Sequence, residues 1–428
     1  MLTKFKSRFQ TEEKKRLLSN FFSLSAFQIV NYILPLIVVP YLFTTLGADK
    51  FGRIAFAQAV VIYFGLFVNY GFNISATKEI SIHRNDTKKV SEIYSSVTTI
   101  KVIFSLIAFG VFTLMVFSID RFAEDWELYL FTFGTIIESI LFPIWFFQGM
   151  ERMKYITVIY TISKIIVTVM IFIVIKNSDD YLLVPFLYFI GSISSGILSM
   201  YVLLKLFRVN FRFPPFDQII FQLQDGWHLF ISDVSVNMYR NANVLILGLM
   251  SGTLYVGYYA LAEKVIKALQ SLMEPVSGAL YPYIAKKSTN QSLQKSLIDI
   301  FKIAKYYSVI LGTVFLLILL FTPYIVYVLG GSHIENVILD MRILSIVIFF
   351  GGLNYLFGII GLISLGYKKY FMMSVLFAGM LNVLLCFLFS PMLQDAGAAI
   401  SLSISEFLLL FLLMKKMLIL YRNQEDIK

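Results

Sequence analysis

The sequence predicts an all-α integral membrane protein of twelve transmembrane helices, arranged as two six-helix lobes related by a parallel pseudo-two-fold axis. Three observations support this prediction. The 428 residues are 58% hydrophobic and only 14% charged, with a mean hydropathy of +0.78, which excludes a soluble globular fold. Twelve apolar runs are each long enough to cross about 30 Å of hydrocarbon. Lysine and arginine alternate from one connecting segment to the next.

The predicted spans follow one another with short connections. They cover roughly residues 18–42, 54–76, 92–119, 127–148, 155–175, 182–204, 226–250, 254–284, 303–329, 338–365, 370–390 and 396–420. The longest polar connection, residues 205–225, contains Pro214 and Pro215 and separates six spans from six. We therefore expect an N-terminal lobe over residues 1–210 and a C-terminal lobe over residues 211–428.

The distribution of basic residues predicts the orientation. If the N-terminus is cytoplasmic, 26 of the 36 lysines and arginines lie in cytoplasmic segments and five lie in the opposite loops. Such a bias is typical of multi-pass membrane proteins, so both termini are expected in the cytoplasm. The bias also explains the net charge of +10 without a nucleic-acid partner. Residues 1–16 are basic and precede a long apolar run, and we interpret them as a cytoplasmic lead-in rather than a cleaved signal.

A weak internal repeat relates the two halves at a spacing of 205 residues. The segment LGADKFGRIAFAQ at 46–58 aligns with SGTLYVGYYALAE at 251–263, which places Gly47 on Gly252 and Gly52 on Gly257. Because each half has an even number of predicted spans, the repeat would be parallel, with its axis along the membrane normal. A site between such halves is expected near the middle of the membrane.

Two predicted spans carry polar stripes at helical spacing. Asp233, Asn237 and Arg240 lie on one face of the seventh span, and Glu263 and Lys267 lie on one face of the eighth. An unpaired charge at the bilayer centre costs about 3 kcal/mol on insertion scales. These stripes are therefore expected to face a water-filled cavity lined by protein, which is the predicted working site.

The cations within spans are candidates for binding an anionic substrate. They are Arg240, Lys164, Lys264, Lys267 and Lys101, with Asn237 beside Arg240 on the same stripe. The planar guanidinium of Arg240 suits the oxygens of a phosphate group. Structural roles are the alternative: Lys164 with Glu138, Lys267 with Glu263 at the favourable i, i+4 spacing, and Arg240 with Asp233.

Acidic residues and prolines within spans suggest further roles. The candidates for ion coupling are Asp233, Glu274, Glu138, Glu263 and Glu406. A buried carboxyl group in a span either carries protons or is protonated and merely hydrogen-bonded. Prolines remove backbone hydrogen bonds and bend helices. The candidate hinges are Pro35, Pro40, Pro275 and Pro282.

The sequence favours no metal site, cofactor or covalent chemistry. Cys386 is the one cysteine, and His83, His228 and His333 are scattered without the spacing of metal ligands. No arrangement of a nucleophile with a base is found, so an enzyme is not expected.

Three segments resemble a known family. They are PIWFFQGMERMKY at Pro143–Tyr155, the run from Val256 to Lys287, and LGADKFGRIAFAQA after the first span. The chain resembles the polysaccharide repeat-unit flippases, the O-antigen flippases in particular, of the multidrug, oligosaccharidyl-lipid and polysaccharide exporter superfamily, and the likeness implies a MATE-like fold. The family pattern falls on Trp145, Gln148, Gly149, Glu151, Gly257, Tyr258, Tyr259, Ala260 and Pro275.

The resemblance implies transport of undecaprenyl-diphosphate-linked oligosaccharide to the periplasmic leaflet of the bacterial inner membrane by alternating access. Its expected partners are this lipid, membrane lipid and other polysaccharide assembly proteins. The ten charges that lie away from the ends of the spans sum to zero, so we hypothesise that some acids are protonated when the anion binds, which would couple transport to protons. The alternatives are an ion-coupled drug or metabolite exporter of the same superfamily, a membrane polysaccharide polymerase and a passive scramblase.

Overall fold

The computed structural model describes residues 2–271, 284, 291–332 and 334–425. The side chains of residues 2–18, 21, 235, 236, 238–240 and 423–425 are outside this description. The helices are α1 Leu2–Asn69, α2 Phe72–His83, α3 Thr87–Ser118, α4 Asp120–Ala123, α5 Trp126–Gly134, α6 Ile136–Leu141, α7 Ile144–Gly149, α8 Met153–Val174, α9 Leu183–Lys205, α10 Phe216–Ser251, α11 Thr253–Ser271, α12 Leu293–Gly330, α13 Glu335–Tyr355 and α14 Lys368–Glu425. A 3₁₀ turn at Ser178–Leu182 precedes α9, and a π-helix at Leu356–Ile363 continues α13.

Eight helical stretches among the described residues are long and apolar enough to span a membrane. Two of them, Phe22–His83 and Lys368–Arg422, have 62 and 55 residues, whereas one crossing needs about 20. Each therefore has room for two of the predicted spans. The all-α membrane fold is confirmed, while the number of twelve spans and the symmetry of the lobes stay predictions.

The long helices change direction at particular residues. Within α1, only Gly47 has non-helical dihedral angles, with φ 78° and ψ 164°, a region that glycine enters without strain. Within α14, Gln394 has φ 55° and ψ −129°. The candidate hinges Pro35 and Pro40 lie in the regular part of α1 before Gly47, and their role stays a prediction. Pro275 and Pro282 lie outside the described residues.

The chain divides into two compact units. The first contains residues 1–38 and 57–234, and the second contains residues 39–56 and 235–428. The middle of α1 thus belongs to the second unit, and α10 contributes to both. The predicted lobes, divided at residue 210, stay a prediction.

The first unit packs around the Trp-Phe-Phe segment of α7. Trp145 is 1% exposed and belongs to the same buried cluster as Ile80 of α2. The hydroxyl of Thr77 donates to the carbonyl oxygen of Trp145 over 3.1 Å. A Cβ added to Gly149 would lie 2.6 Å from side-chain atoms of Ile80, so only glycine lets α7 approach α2 this closely. In this structure Trp145 and Gly149 of the family pattern hold two helices together.

The second unit contains a close crossing between α11 and the part of α1 after Gly47. A Cβ added to Gly52 would lie 1.8 Å from the carbonyl oxygen of Thr253, and one added to Gly257 would lie 2.0 Å from that of Ala48. Gly257 follows Gly52 by 205 residues, and Thr253 follows Ala48 by the same number. Gly52 therefore contacts Thr253, whereas Gly257 contacts Ala48, the residue that the repeat aligns with Thr253. This reciprocal pattern is that of a two-fold contact.

Further features surround this crossing. Gly252 has φ 101° and Gly47 has φ 78°, so the two glycines aligned by the repeat both occupy the left-handed region. The hydroxyl of Thr253 donates to Asp49 over 2.5 Å, and Asp49 also pairs with Arg53 at 3.0 Å. The weak repeat seen in the sequence thus corresponds to one physical contact inside the second unit.

Candidate functional site

The cation candidates differ in what their ammonium groups touch. Lys101 is 2% exposed, and its Nζ donates to the carbonyl oxygen of Ser139 over 2.7 Å. In a regular helix this oxygen would accept from the N–H of residue 143, but that residue is Pro143 and has none. Lys101 therefore completes the hydrogen bonding of the chain where α6 ends. Its role in substrate binding stays a prediction.

Lys267 lies beside a carboxylate. Its Nζ is 3.0 Å from Oε1 of Glu263, one helical turn away on α11. The same oxygen accepts from the hydroxyl of Tyr259 over 3.3 Å. The structure therefore contains the intrahelical ion pair that the spacing allows.

Lys164 lies among aromatic rings in the first unit. Its Nζ is 5.2 Å from the centroid of the Tyr160 ring on α8 and 5.5 Å from that of the Tyr188 ring on α9. Glu138 instead accepts hydrogen bonds from Ser192 over 3.2 Å and Ser195 over 3.1 Å. Among the described residues no ion pair joins Lys164 to Glu138.

Lys264 has a similar environment in the second unit. Its Nζ lies 5.1 Å from the centroid of the Phe51 ring, next to the crossing of the paired glycines. Glu263 is its sequence neighbour, but that carboxylate is paired with Lys267. An ammonium group over a ring face is stabilised without losing its charge. Lys164 and Lys264 therefore each hold an ammonium group over aromatic rings, and their roles in substrate binding stay predictions.

The stripe of α10 is described only in part. Asn237 accepts a hydrogen bond from Nδ2 of Asn241 over 3.2 Å, and Asp233 is partly buried. Arg240 lies on the same helix, but its side chain is outside the described residues. The predicted roles of Arg240, Asn237 and Asp233 stay predictions.

Neutral side chains bind two of the other acidic candidates. Oε2 of Glu406 accepts from Nδ2 of Asn354 over 2.6 Å, and Glu138 accepts from two serines. Glu274 lies outside the described residues. These contacts fit carboxyl groups that are held in place by hydrogen bonds, and their role in ion coupling stays a prediction.

The sequence analysis missed a pair of buried acids in the second unit. Asp340 is 0% exposed, and neither of its carboxyl oxygens has a hydrogen-bond donor. Asp395 is 2% exposed and accepts from Nδ2 of Asn336 over 3.0 and 3.3 Å. Asp340 lies at the start of the tenth predicted span and Asp395 between the last two. The available signal was the position of Asp340 inside an apolar run.

A buried amide network was missed as well. Nδ2 of Asn382 donates to Asn243 over 2.8 Å, and Nδ2 of Asn243 donates to the carbonyl oxygen of Ala398 over 3.0 Å. Both asparagines are at most 3% exposed. Single polar residues in separate apolar runs gave no indication that they meet.

Two solved structures have the same fold. A chain described as "Lipid II flippase MurJ, inward closed conformation" aligns with a TM-score of 0.69 at 16% identity, covering 95% of this chain and 90% of that chain. The inward-facing conformation of a multidrug resistance MATE family transporter of the MOP superfamily aligns with a TM-score of 0.68 at 12% identity, covering 94% and 99%. These likenesses confirm the predicted MATE-like fold.

Sequence relatives show which family the chain belongs to. A protein of Escherichia coli (strain K12) named "Putative O-antigen transporter" is 30% identical over 412 residues, covering 96% of this chain and 98% of that protein. A protein of Shigella dysenteriae with the same name is 30% identical over 324 residues, covering 74% and 80%. A family model described as "Polysaccharide biosynthesis protein" matches residues 17–288. Together with the helical membrane fold, these matches show that the chain belongs to the polysaccharide biosynthesis protein family.

Proposed function

We propose that the chain moves undecaprenyl-diphosphate-linked O-antigen repeat units from the cytoplasmic to the periplasmic leaflet of the bacterial inner membrane. Its family, the names of its relatives and its fold support transport of a lipid-linked saccharide. The expectation of a transporter rather than an enzyme is confirmed by the same findings. The termini are proposed to be cytoplasmic because basic residues concentrate in the connections on that side.

The observation that carries this proposal is the placement of Lys164 and Lys264. Both belong to predicted spans, and both have their ammonium groups over aromatic rings. Among the described residues, neither lies within ion-pair distance of a carboxylate. A cation inside a membrane protein needs a compensating group or water. A diphosphate supplies that compensation, which makes an anionic lipid a better substrate for these two lysines than a cationic drug.

The substrate's chemistry explains why a protein is required. A diphosphate and its attached sugars cannot cross hydrocarbon unaided, whereas the polyprenyl tail is already soluble there. In the proposed cycle, Lys164, Lys264 and Arg240 are each candidates to bind the diphosphate, and the guanidinium of Arg240 is able to hold two oxygens. The chain then alternates between inward and outward access without making or breaking a covalent bond.

We further propose that protons drive this cycle. Protonation of one or two acids within spans would leave the surrounding region net positive when the diphosphate binds. The candidates remain Asp233, Glu138, Glu263, Glu274 and Glu406. Transport that persists after collapse of the proton gradient would instead assign a passive scramblase.

The test is restoration of surface polysaccharide in a strain that lacks its own O-antigen transporter. Lys164→Ala and Lys264→Ala are expected to lower surface O-antigen at least tenfold, since a charged hydrogen bond contributes about 1.5–3 kcal/mol. The matched control is Lys416→Ala, because Lys416 also lies over aromatic rings, at 5.2 Å from Tyr367 and 5.4 Å from Tyr370. This lysine lies near the C-terminal end of the last predicted span, 396–420, and is not among the candidates for substrate binding.

Protein amounts in the membrane would be measured for each variant. Equal activity of all three variants would remove Lys164 and Lys264 from the substrate site. Extrusion of cationic dyes without restored polysaccharide would favour a drug exporter of the same fold.

A further inference from the structure

The connection between α9 and α10 packs against the core of the first unit. Val209 is 1% exposed and belongs to the same buried cluster as Trp145. Its N–H donates to the carbonyl oxygen of Leu203 over 3.2 Å. Arg208 has a φ of 53°, so the chain turns sharply where α9 ends. The connection is therefore fixed to the folded unit at its start.

After this turn the chain follows α3. The N–H of Asn210 donates to the hydroxyl of Ser91 over 3.2 Å, and the N–H of Arg212 donates to the hydroxyl of Ser95 over 3.0 Å. Two residues of extended chain advance about 6.5 Å, and the four residues between the two serines advance about 6 Å along a helix. The segment therefore runs alongside α3 towards its C-terminal end, and Phe213 follows at or beyond the level of Ser95.

The level of Ser95 lies inside the part of α3 that spans the membrane. The third predicted span begins at residue 92, and α3 is long and apolar enough to cross a bilayer. Lys89 and Glu92 form an ion pair at 3.3 Å, and no charged residue follows them on α3 until Lys101. Phe213 is thus near the depth at which headgroups give way to acyl chains, on the side predicted to be cytoplasmic.

The tip of the segment is apolar and exposed. Residues 213–216 read Phe-Pro-Pro-Phe, and the side chains of Phe213 and Phe216 are 89% and 73% exposed. After the tip, Oε1 of Gln218 accepts from the hydroxyl of Ser96 over 3.2 Å, so both ends of the tip are held beside α3. Because large apolar side chains are disfavoured in water, the two rings indicate a covering that the rest of the described chain does not supply.

The backbone of the tip tolerates an apolar environment. Pro214 and Pro215 have no N–H, and the N–H groups of Asn210 and Arg212 are bonded to serines. An irregular segment cannot cross hydrocarbon, where every backbone group needs a partner. A tip with few unpaired donors is instead suited to the interface between headgroups and acyl chains.

Basic residues lie on the same segment. The stretch from Lys205 to Asp217 contains one acid and three cations, and the side chains of Arg208 and Arg212 are exposed. Anionic lipids of the cytoplasmic leaflet attract basic segments next to membrane spans, and guanidinium groups match phosphate oxygens. Exposed aromatic rings beside basic side chains are typical of segments that lie in a membrane interface.

We propose that residues 208–216 anchor the first unit to the cytoplasmic leaflet. Phe213 and Phe216 lie among the acyl chains next to the headgroups, and Arg208 and Arg212 bind the phosphates of anionic lipids. The longest connection between the predicted halves is then a fixed contact with lipid rather than a free linker in water. This inference goes beyond the proposed function and holds whichever saccharide the chain moves.

The experiment places a nitroxide spin label at position 213 of the purified full-length chain in nanodiscs. Cys386 is the one cysteine and is buried, so the unaltered chain is the blank and Phe213→Cys takes the label. Collisions of the label are measured with oxygen, which partitions into lipid, and with a water-soluble nickel chelate. We expect frequent collisions with oxygen and several-fold fewer collisions with the chelate than at a position in water.

Two reference positions calibrate these collisions. Leu106→Cys is the lipid reference, because Leu106 lies on α3 and is 67% exposed. Asn85→Cys is the water reference, because Asn85 is exposed in the connection between α2 and α3. Chelate collisions at position 213 as frequent as those at Asn85 would overturn the proposal. Rare collisions with both reagents would also overturn it, because the tip would then be covered by protein.

Lipid composition tests the two arginines. Adding phosphatidylglycerol to phosphatidylcholine nanodiscs should lower the chelate collisions at position 213 further. Arg208→Gln with Arg212→Gln should remove this difference, whereas Lys368→Gln with Lys369→Gln, two exposed cations of another connection predicted to be cytoplasmic, should retain it. A difference that persists without the arginines would overturn their contact with anionic lipids. Because no step requires transport, each negative result leaves the proposed function intact.

Discussion

Replacing Gly257 with alanine tests the reciprocal crossing of α1 and α11. The new methyl group would lie 2.0 Å from the carbonyl oxygen of Ala48, whereas ordinary contact needs about 3.4 Å, so the two backbones must separate by about 1.4 Å. Overpacking of this kind typically costs about 1–3 kcal/mol. Alanine is favoured over glycine in a helix interior by up to about 1 kcal/mol, which offsets part of this cost.

We expect Gly257→Ala to lower the thermal denaturation midpoint in detergent by several degrees and to reduce the surface polysaccharide that the chain restores. Gly110→Ala is the matched control, because Gly110 also lies within a helix but a Cβ there meets nothing within 4 Å. Since the control gains helix propensity without a clash, its midpoint should be unchanged or slightly higher. Equal midpoints for the two variants would refute the close crossing.

A double variant makes this test sharper. Gly52→Ala places a methyl group 1.8 Å from the carbonyl oxygen of Thr253 at the same crossing. Once one substitution has separated the backbones of α1 and α11, the methyl group of the second substitution requires less additional separation. The combined loss of stability in Gly52→Ala with Gly257→Ala should therefore be smaller than the sum of the single losses. Strict additivity would indicate that the two glycines lie in independent contacts.

Two further substitutions test single buried groups. Lys101→Met should destabilise the chain by about 1–3 kcal/mol because the carbonyl oxygen of Ser139 loses its donor. Adding Pro143→Ala should recover part of this stability, since residue 143 then has an N–H that can donate to the same oxygen. An unchanged stability after the second substitution would contradict this explanation. Asp340→Asn should leave the denaturation midpoint unchanged or raise it, because an amide can donate to Asp395 as a protonated carboxyl group can and an ionised one cannot. A lower midpoint would show that the carboxyl group itself is required.

The helical architecture could be predicted because it follows from local properties. The third predicted span, 92–119, corresponds to α3 at Thr87–Ser118, and the fifth, 155–175, corresponds to α8 at Met153–Val174. The number of consecutive apolar residues and the basic connections are sufficient for such predictions. The repeat in the sequence also identified Gly52 and Gly257, although it did not indicate that Gly52 contacts Thr253 and that Gly257 contacts Ala48.

The partners of the polar side chains could not be predicted in the same way. Lys101 had the appearance of a cation available to a substrate, and only the folded chain brings it to an oxygen 38 residues away in the sequence. Asp340 was overlooked because one acid near the end of an apolar run is unremarkable until Asp395 is seen beside it. Composition and spacing identify which polar residues lose free energy on burial. Tertiary contacts decide which hydrogen bond or ion pair compensates each of them.

The sharing of α1 between the two units has a consequence for biosynthesis. Residues 39–56 belong to the second unit, whose remaining residues begin at 235. At a synthesis rate of about 5–20 residues per second, the glycine of the first half leaves the ribosome about 10–40 s before its counterpart about 200 residues later. During this interval α11, the helix that Gly52 contacts in the folded chain, has not been synthesised. Residues 39–56 are therefore in the membrane before their contact with α11 can form. A chain truncated before α11 should be a substrate for membrane quality-control proteases.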